Sequence, residues 1–140
     1  MKRYALLFGA CAILAVVYVF QQVSYAGILN GVLPGNWSIQ KPNTVFIINR
    51  TLRMIINDMA CMMLIWGLFK EIKYVKVALI VFCVELLIIL PLYFIVKLNL
   101  EGPTELSSPL LSQVHRIIVN PLLMVILIIA FYYQKVTTRE

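Results

Sequence analysis

His115 is the one histidine of the chain, and Cys11, Cys61 and Cys83 are its three cysteines. Thiol catalysis requires a cysteine and its base within about 3 Å of each other. Cys61 and His115 are the natural pair to test, and both lie in long apolar runs. Counting inward at ~1.5 Å per residue of helix, Cys61 falls ~24 Å below one membrane face and His115 only ~8 Å below the same face. Cys11 and Cys83 lie still nearer the opposite side. The depths therefore set the chain against a cysteine hydrolase. No HExxH, GxSxG or glycine-rich phosphate loop occurs. One histidine and scattered acids make a poor metal site. The cysteines have neither CxxC spacing nor a disulfide-like pattern, and each reads as a small buried hydrophobe. No cofactor, metal or intrinsic activity is expected.

The chemically unusual stretch is Asn49-Arg50-Thr51-Leu52-Arg53-Met54-Ile55-Ile56-Asn57-Asp58. On a helix Arg50, Arg53 and Asn57 share one face. A second polar set, His115, Arg116 and Asn120, lies in another apolar run. Their depths match, in the outer half of the bilayer: ~8 to 18 Å for the first set and ~8 to 15 Å for the second. An arginine at mid-membrane costs roughly 2.5–3.5 kcal/mol on insertion scales and normally faces protein. Two acids, Asp58 and Glu85, are close to the midplane. The expectation is a polar cluster of Asn49, Arg50, Arg53, Asn57, Asp58, Glu85, His115, Arg116 and Asn120, with Asp58 or Glu85 offsetting the arginines. Plainer readings stand beside it. Arg50 can snorkel to the outer headgroups, and transmembrane asparagines often only join helices. Glu85 with Asp58 also fits a small intramembrane binding or transport module.

These groups need elements that carry them into lipid. Of 140 residues 62% are hydrophobic and 13% charged, with a mean hydropathy of +0.93. A soluble domain is nearer half apolar and a quarter charged. The chain reads as one integral membrane domain, an all-α four-helix bundle with spans near 4–20, 45–69, 75–96 and 110–133. Strand-type alternation is absent, and lipid leaves helices as the remaining way to satisfy the backbone. Gly27, Gly31, Pro34, Gly35 and Pro42 punctuate residues 21–44, which reads as an irregular connection with Trp37 in the interfacial belt. The Asn36-Trp37-Ser38 and Asn49-Arg50-Thr51 glycosylation patterns are taken as chance. Pro91 and Pro121 should loosen their helices by freeing the carbonyls of Leu87 and Ile117. The basic head, apolar run and Ser24-Tyr25-Ala26 also resemble a secretory signal, but the run is long for one, so a retained helix is expected.

The net charge of +6 could suggest nucleic acid. Its placement reports topology instead. With four spans, Lys2, Arg3, Lys70, Lys73, Lys76, Lys135 and Arg139 fall on one side, against Lys41 and Lys97 on the other. That asymmetry expects both termini in the cytoplasm. No nucleic-acid partner is expected, and homo-oligomerisation stays open.

Several longer patterns go together. They are Asn49-Arg50…Arg53…Asn57-Asp58, then Leu90-Pro91-Leu92-Tyr93, then Ser108-Pro109-Leu110-Leu111-Ser112-Gln113-Val114-His115-Arg116…Val119-Asn120-Pro121-Leu122, closing on Phe131-Tyr132-Tyr133-Gln134-Lys135. In these the chain resembles the small exosortase-associated membrane proteins of Bacteroidota. The His-Arg-x-x-x-Asn-Pro-Leu run is the most specific part. The resemblance implies a partner, a multi-span thiol transpeptidase-like protease that cleaves C-terminal sorting tails of exported proteins at the outer face of the inner membrane. It implies no activity for the small protein itself, and this chain has no external cysteine to match the protease. The expected role is a non-catalytic accessory subunit whose outer-leaflet polar cluster contacts the partner or a substrate tail.

Overall fold

The computed structural model describes residues 2–35, 39–104 and 108–138. Trp37, the Asn36-Trp37-Ser38 pattern, Glu105 and Arg139 lie outside them. The described residues are helical, with no strand among them. In chain order they form α1 (Lys2–Val19), α2 (Tyr25–Val32), α3 (Pro42–Phe69), α4 (Ile72–Val84), a π-turn (Glu85–Ile89), α5 (Leu90–Leu100), α6 (Pro109–Val119) and α7 (Leu122–Thr137). By length and composition α3 and the continuous helix from Ile72 to Leu100 can each cross a membrane. α6 and α7 make a third if the pair, bent by 57°, is one span. α1 is a shorter apolar helix.

α3 is the axis of the molecule. Its first helical residue is Pro42, whose fixed φ suits that position. It ends at Lys70, which takes the left-handed conformation at φ 55° and donates its N–H to the Trp66 carbonyl. At 28 residues it is about 42 Å long. Its buried residues include Phe46, Arg50, Met54, Asn57, Asp58, Cys61, Ile65 and Phe69, a helical stripe of period 3.6. Met59, Met63 and Trp66 on the other side are exposed. The usual amphipathic logic is thus inverted, with the polar groups on the protein-facing stripe.

α1 runs antiparallel along α3. Near its start Arg3 Nε donates to the Gly67 carbonyl at 2.9 Å, satisfying one of the free carbonyls at the C-terminal end of α3 with a favourable charge. A Cβ on Gly67 would come within 2.7 Å of Leu7 Cδ2 and 2.9 Å of Leu6 Cδ2. Glycine is what lets the two helices approach here.

Two apolar clusters fill the interior. Phe46, Met54, Leu90, Tyr93, Phe94, Leu111 and Ile118 form one. Cys61, Ile65, Phe69, Tyr74, Ala78, Met124 and Phe131 form the other. In sequence the gap between the clusters holds Asn57-Asp58 on α3, the π-turn from Glu85, and Asn120-Pro121 between α6 and α7. Both irregularities sit by a proline. Pro91 leaves a carbonyl without its helical donor, and the preceding helix widens so that Leu90 N–H bonds to the Glu85 carbonyl, five residues back. Asn120 is extended at φ −87° and ψ 142°, as a residue before proline prefers.

Residues 21–44 differ from the irregular connection expected. They contain α2, despite Gly27 and Gly31. The reason is capping from two sources: Ser24 Oγ accepts from Gly27 N–H at 3.1 Å, and Asn49 Oδ1 on α3 accepts from Ala26 N–H at 2.8 Å. Asn30 then fastens the return, with Nδ2 donating to the Ile39 carbonyl and Oδ1 accepting from Ile39 N–H.

The close α1–α3 approach gives a direct test. Gly67→Leu should destabilise the detergent-solubilised protein by about 1–3 kcal/mol through overpacking. Gly9→Leu, at a position where an added Cβ meets nothing within 4 Å, should leave thermal unfolding nearly unchanged.

Candidate functional site

The polar groups of the interior form two sites. The larger is a cavity of about 570 Å³ where the C-terminal end of α1 meets the first half of α3, the end of α5 and the start of α6. Arg50, Arg53, Lys97 and His115 line it, with Tyr93, Asn49, Ser24 and Ser112. Four side chains able to carry positive charge therefore converge from α3, α5 and α6. Arg50 lies over the Phe46 ring one turn earlier, its guanidinium carbon 5.3 Å from the centroid, a cation–π contact that covers its apolar side. Tyr93 Oη and His115 Nδ1 are 3.1 Å apart, which fixes the imidazole across α5 and α6.

Lys97 is 1% exposed, and its Nζ donates to Glu101 Oε2 one turn on. Glu101 Oε1 accepts from Ser108 N–H at 2.7 Å. Glu101 thus clamps the end of α5 to the start of α6. The hydrogen bond from Lys97, followed by that from Ser108 N–H, holds its carboxyl down at about 2.

The second site lies deeper. Asn57 Nδ2 donates to the Val119 carbonyl at 3.0 Å, joining α3 to α6 at the proline break. Asp58 and Glu85, 1% and 2% exposed, are buried next to each other. Asp58 Oδ2 and Glu85 Oε2 have no hydrogen-bond partner among the described residues. Cys61, one turn beyond Asn57, is buried beside them.

The expected nine-residue cluster is therefore divided. Arg50, Arg53 and His115 come together in the cavity. Asn49 reaches it but also caps α2. The acids meet each other and not the guanidiniums, which corrects the expected charge pairing. Asp58 is eight residues from Arg50, ~12 Å along the helix, and faces the π-turn. Arg116 is exposed and outside the cavity lining. Asn120 is exposed too and lines a separate 210 Å³ pocket with Arg53, Asn57 and Pro121. Arg116 is turned about 100° from His115 on the same helix, and Asn120 lies at the proline break. Asn57, rather than Asn120, takes up a carbonyl at that break. Sequence reasoning missed Tyr93 and Lys97 as site residues. The i, i+4, i+8 spacing of Tyr93, Lys97 and Glu101 on one helical face was the available signal.

No family model, curated protein or solved structure matches the chain.

Two tests follow from this geometry. Asp58→Ala should cost about 1–3 kcal/mol, because Glu85 is left buried without its partner, whereas Asp58→Asn, which can still donate to Glu85, should cost much less. Equal losses in thermal unfolding would contradict the carboxyl pair. The Glu101 clamp should be acid-sensitive. Its folded-state pKa is depressed to about 2 from the ordinary 4.5, so its stabilisation is present above the unfolded value and is lost as pH falls toward 2. Glu101→Gln should remove that component from an acid titration of amide exchange at Ser108.

Proposed function

We propose that the chain is a non-catalytic, membrane-embedded binding subunit whose basic cavity receives an anionic group. The observation that carries this is the convergence of Arg50, Arg53, Lys97 and His115 on one 570 Å³ space. Guanidinium groups are suited to carboxylates and phosphates because their planar forks donate two bonds at once. The cysteines are elsewhere: Cys61 is packed in the apolar cluster toward the other end, and Cys11 and Cys83 are exposed. That arrangement favours binding over a thiol reaction at the cavity.

In this reading α1, α3, the Ile72–Leu100 helix and α6–α7 each pass through a bacterial inner membrane, with both termini in the cytoplasm. Arg3, Lys70 and Lys135 line one cavity at the end opposite the basic one, and a cluster of bases at one end accords with the positive-inside rule. The basic cavity then opens toward the outer leaflet. The partner suggested by the sequence resemblance is an exosortase-type sorting protease, beside which the subunit would present or receive an acidic group of the partner or its substrate tail.

A second reading is favoured by one observation, the Asp58–Glu85 pair. Two carboxyls sharing a buried site within a candidate membrane span are the chemistry of a proton or ion relay, and proton flux in liposomes that is abolished by Glu85→Gln would support it.

The main reading is tested by isolating the tagged protein from native membranes. It expects recovery with a multi-span protease, weakened by Arg53→Ala and unaffected by Arg116→Ala at the exposed position. Recovery of the chain alone or only with itself would overturn it.

A further inference from the structure

The two apolar clusters fix the level of a pair of acids. α3 and the Ile72–Leu100 helix run antiparallel on either side of the Lys70-Glu71 link. On one side of the level Met54 packs with Leu86, Ile89 and Leu90. On the other Cys61 packs with Ala78, Val81 and Phe82. Asp58 lies between Met54 and Cys61 on α3, and Glu85 lies between Phe82 and Leu86 opposite it. Both carboxyls are therefore held at one depth inside the protein. Asp58 Oδ2 and Glu85 Oε2 are buried there with no hydrogen-bond partner among the described residues. The cations lie elsewhere. Lys73 pairs with Glu71 and Lys97 with Glu101, both near helix ends. Arg53 is five residues back on α3, ~7.5 Å along the axis and about 140° round it. Of the other titratable groups on the surrounding elements, Cys61 is buried on α3, and Cys11 and Cys83 are exposed. Tyr93 and His115 bond to each other in the wall of the basic cavity. α7 has no titratable side chain before Tyr132, which is exposed.

We infer that Asp58 and Glu85 form a single proton-binding site that latches α3 to the π-turn, closed with the proton bound and open with both carboxyls ionised. Ionised carboxylates are acceptors only, so neither satisfies the other. One proton makes a donor of one carboxyl, and the orphan oxygen of the other accepts from it. With the proton gone, two like charges stand close together in a medium of low dielectric, where their repulsion is poorly screened. A metal ion fits worse. Zinc takes about four ligands and calcium about six to eight, and no group of three or more acids, histidines or cysteines among the described residues is placed to hold one. The side that yields is the π-turn, where the helix is already widened ahead of Pro91. α5, beyond the turn, carries Tyr93 and Lys97 to the basic cavity, so the proton acts on a wall of that cavity. The inference rests on the pair behind the relay reading and goes beyond it, because a latch exchanges its proton with one side of the membrane and needs no flux across it.

The test uses the full-length protein in phosphatidylcholine nanodiscs and infrared difference spectra between acidic and alkaline buffer. The chain has six acids, so bands are assigned by substitution. The wild type should show a protonated-carboxyl band that disappears as pH rises, and both Asp58→Asn and Glu85→Gln should remove or shift it. In Asp58→Asn the amide replaces the proton as donor, so the remaining Glu85 should titrate at lower pH than the wild-type pair. Spin labels at the exposed Met59 and Leu92, on a cysteine-free background, give a second readout. Their separation should widen as the band is lost, and should keep its low-pH value in the Asp58→Asn, Glu85→Gln double variant. If a variant does not fold, the wild-type titration decides alone. A band that is absent, or unchanged over the whole range in which the protein stays folded, would overturn the inference. So would a band left intact in either single variant, because the carboxyls would then titrate independently. Sodium or calcium that abolishes the band at constant pH would identify a metal site and overturn it too. Proton flux that depends on Glu85, with no change in label separation, would keep the relay reading and end the latch.

Discussion

Polar groups that enter an apolar medium must be turned toward protein, and in this chain one helix carries most of them. Arg50, Arg53, Asn57 and Asp58 all project from α3, and in lipid each would be costly. Every other helix packs on that helix, and the cover they provide is itself polar where it has to be. Tyr93, Lys97 and His115 stand opposite the arginines. Val119 offers a carbonyl to Asn57, and Glu85 meets Asp58. The apolar clusters lie to either side of this middle level and hold it in register.

The level of Asn57 and Asp58 is also where the neighbouring helices are least regular. A π-turn brings Glu85 into position before Pro91, and the α6–α7 bend at Asn120-Pro121 exposes a carbonyl that Asn57 reaches. Proline and polarity are thus one feature. The freed backbone group of one helix becomes the partner of a buried side chain on another, the usual way in which membrane helices tolerate proline. One end of the molecule has the basic cavity, and at the opposite end Arg3 on Gly67 and the Phe69, Tyr74 and Phe131 rings draw the helices together.

Much of this was legible in the sequence, and the failures have physical causes. Apolar length alone marked α3 and the Ile72–Leu100 helix, and the two prolines marked the breaks. Arg50, Arg53 and His115, grouped by counting depth, line one cavity. Charge sign did not predict pairing, because opposite charges on one helix are kept apart by rise and rotation, as Arg50 and Asp58 are. Arg116 was grouped with His115 and Asn120 because their depths match Arg50 and Arg53, but depth does not fix the side a residue faces, and Arg116 points about 100° away from His115. Lys97 was counted as an outer-loop base because it lies near a helix end. Its burial depends on Glu101 and Ser108, contacts between segments that composition does not encode. α2 was hidden because its glycines argue against a helix and its cap comes from Asn49, more than twenty residues away.

The central claim is that α3 turns its polar stripe inward. Spin labels placed singly along residues 50–66 of a cysteine-free variant in liposomes measure this most directly, through collision with oxygen from the lipid phase and a nickel chelate from water. Oxygen contact should peak at Met59, Met63 and Trp66 and fall at Met54, Asn57, Asp58, Cys61 and Ile65, with the chelate reaching Arg50 and Arg53 alone. Oxygen maxima at Arg53, Asn57 and Asp58 would mean that those groups face acyl chains, and the account would be wrong.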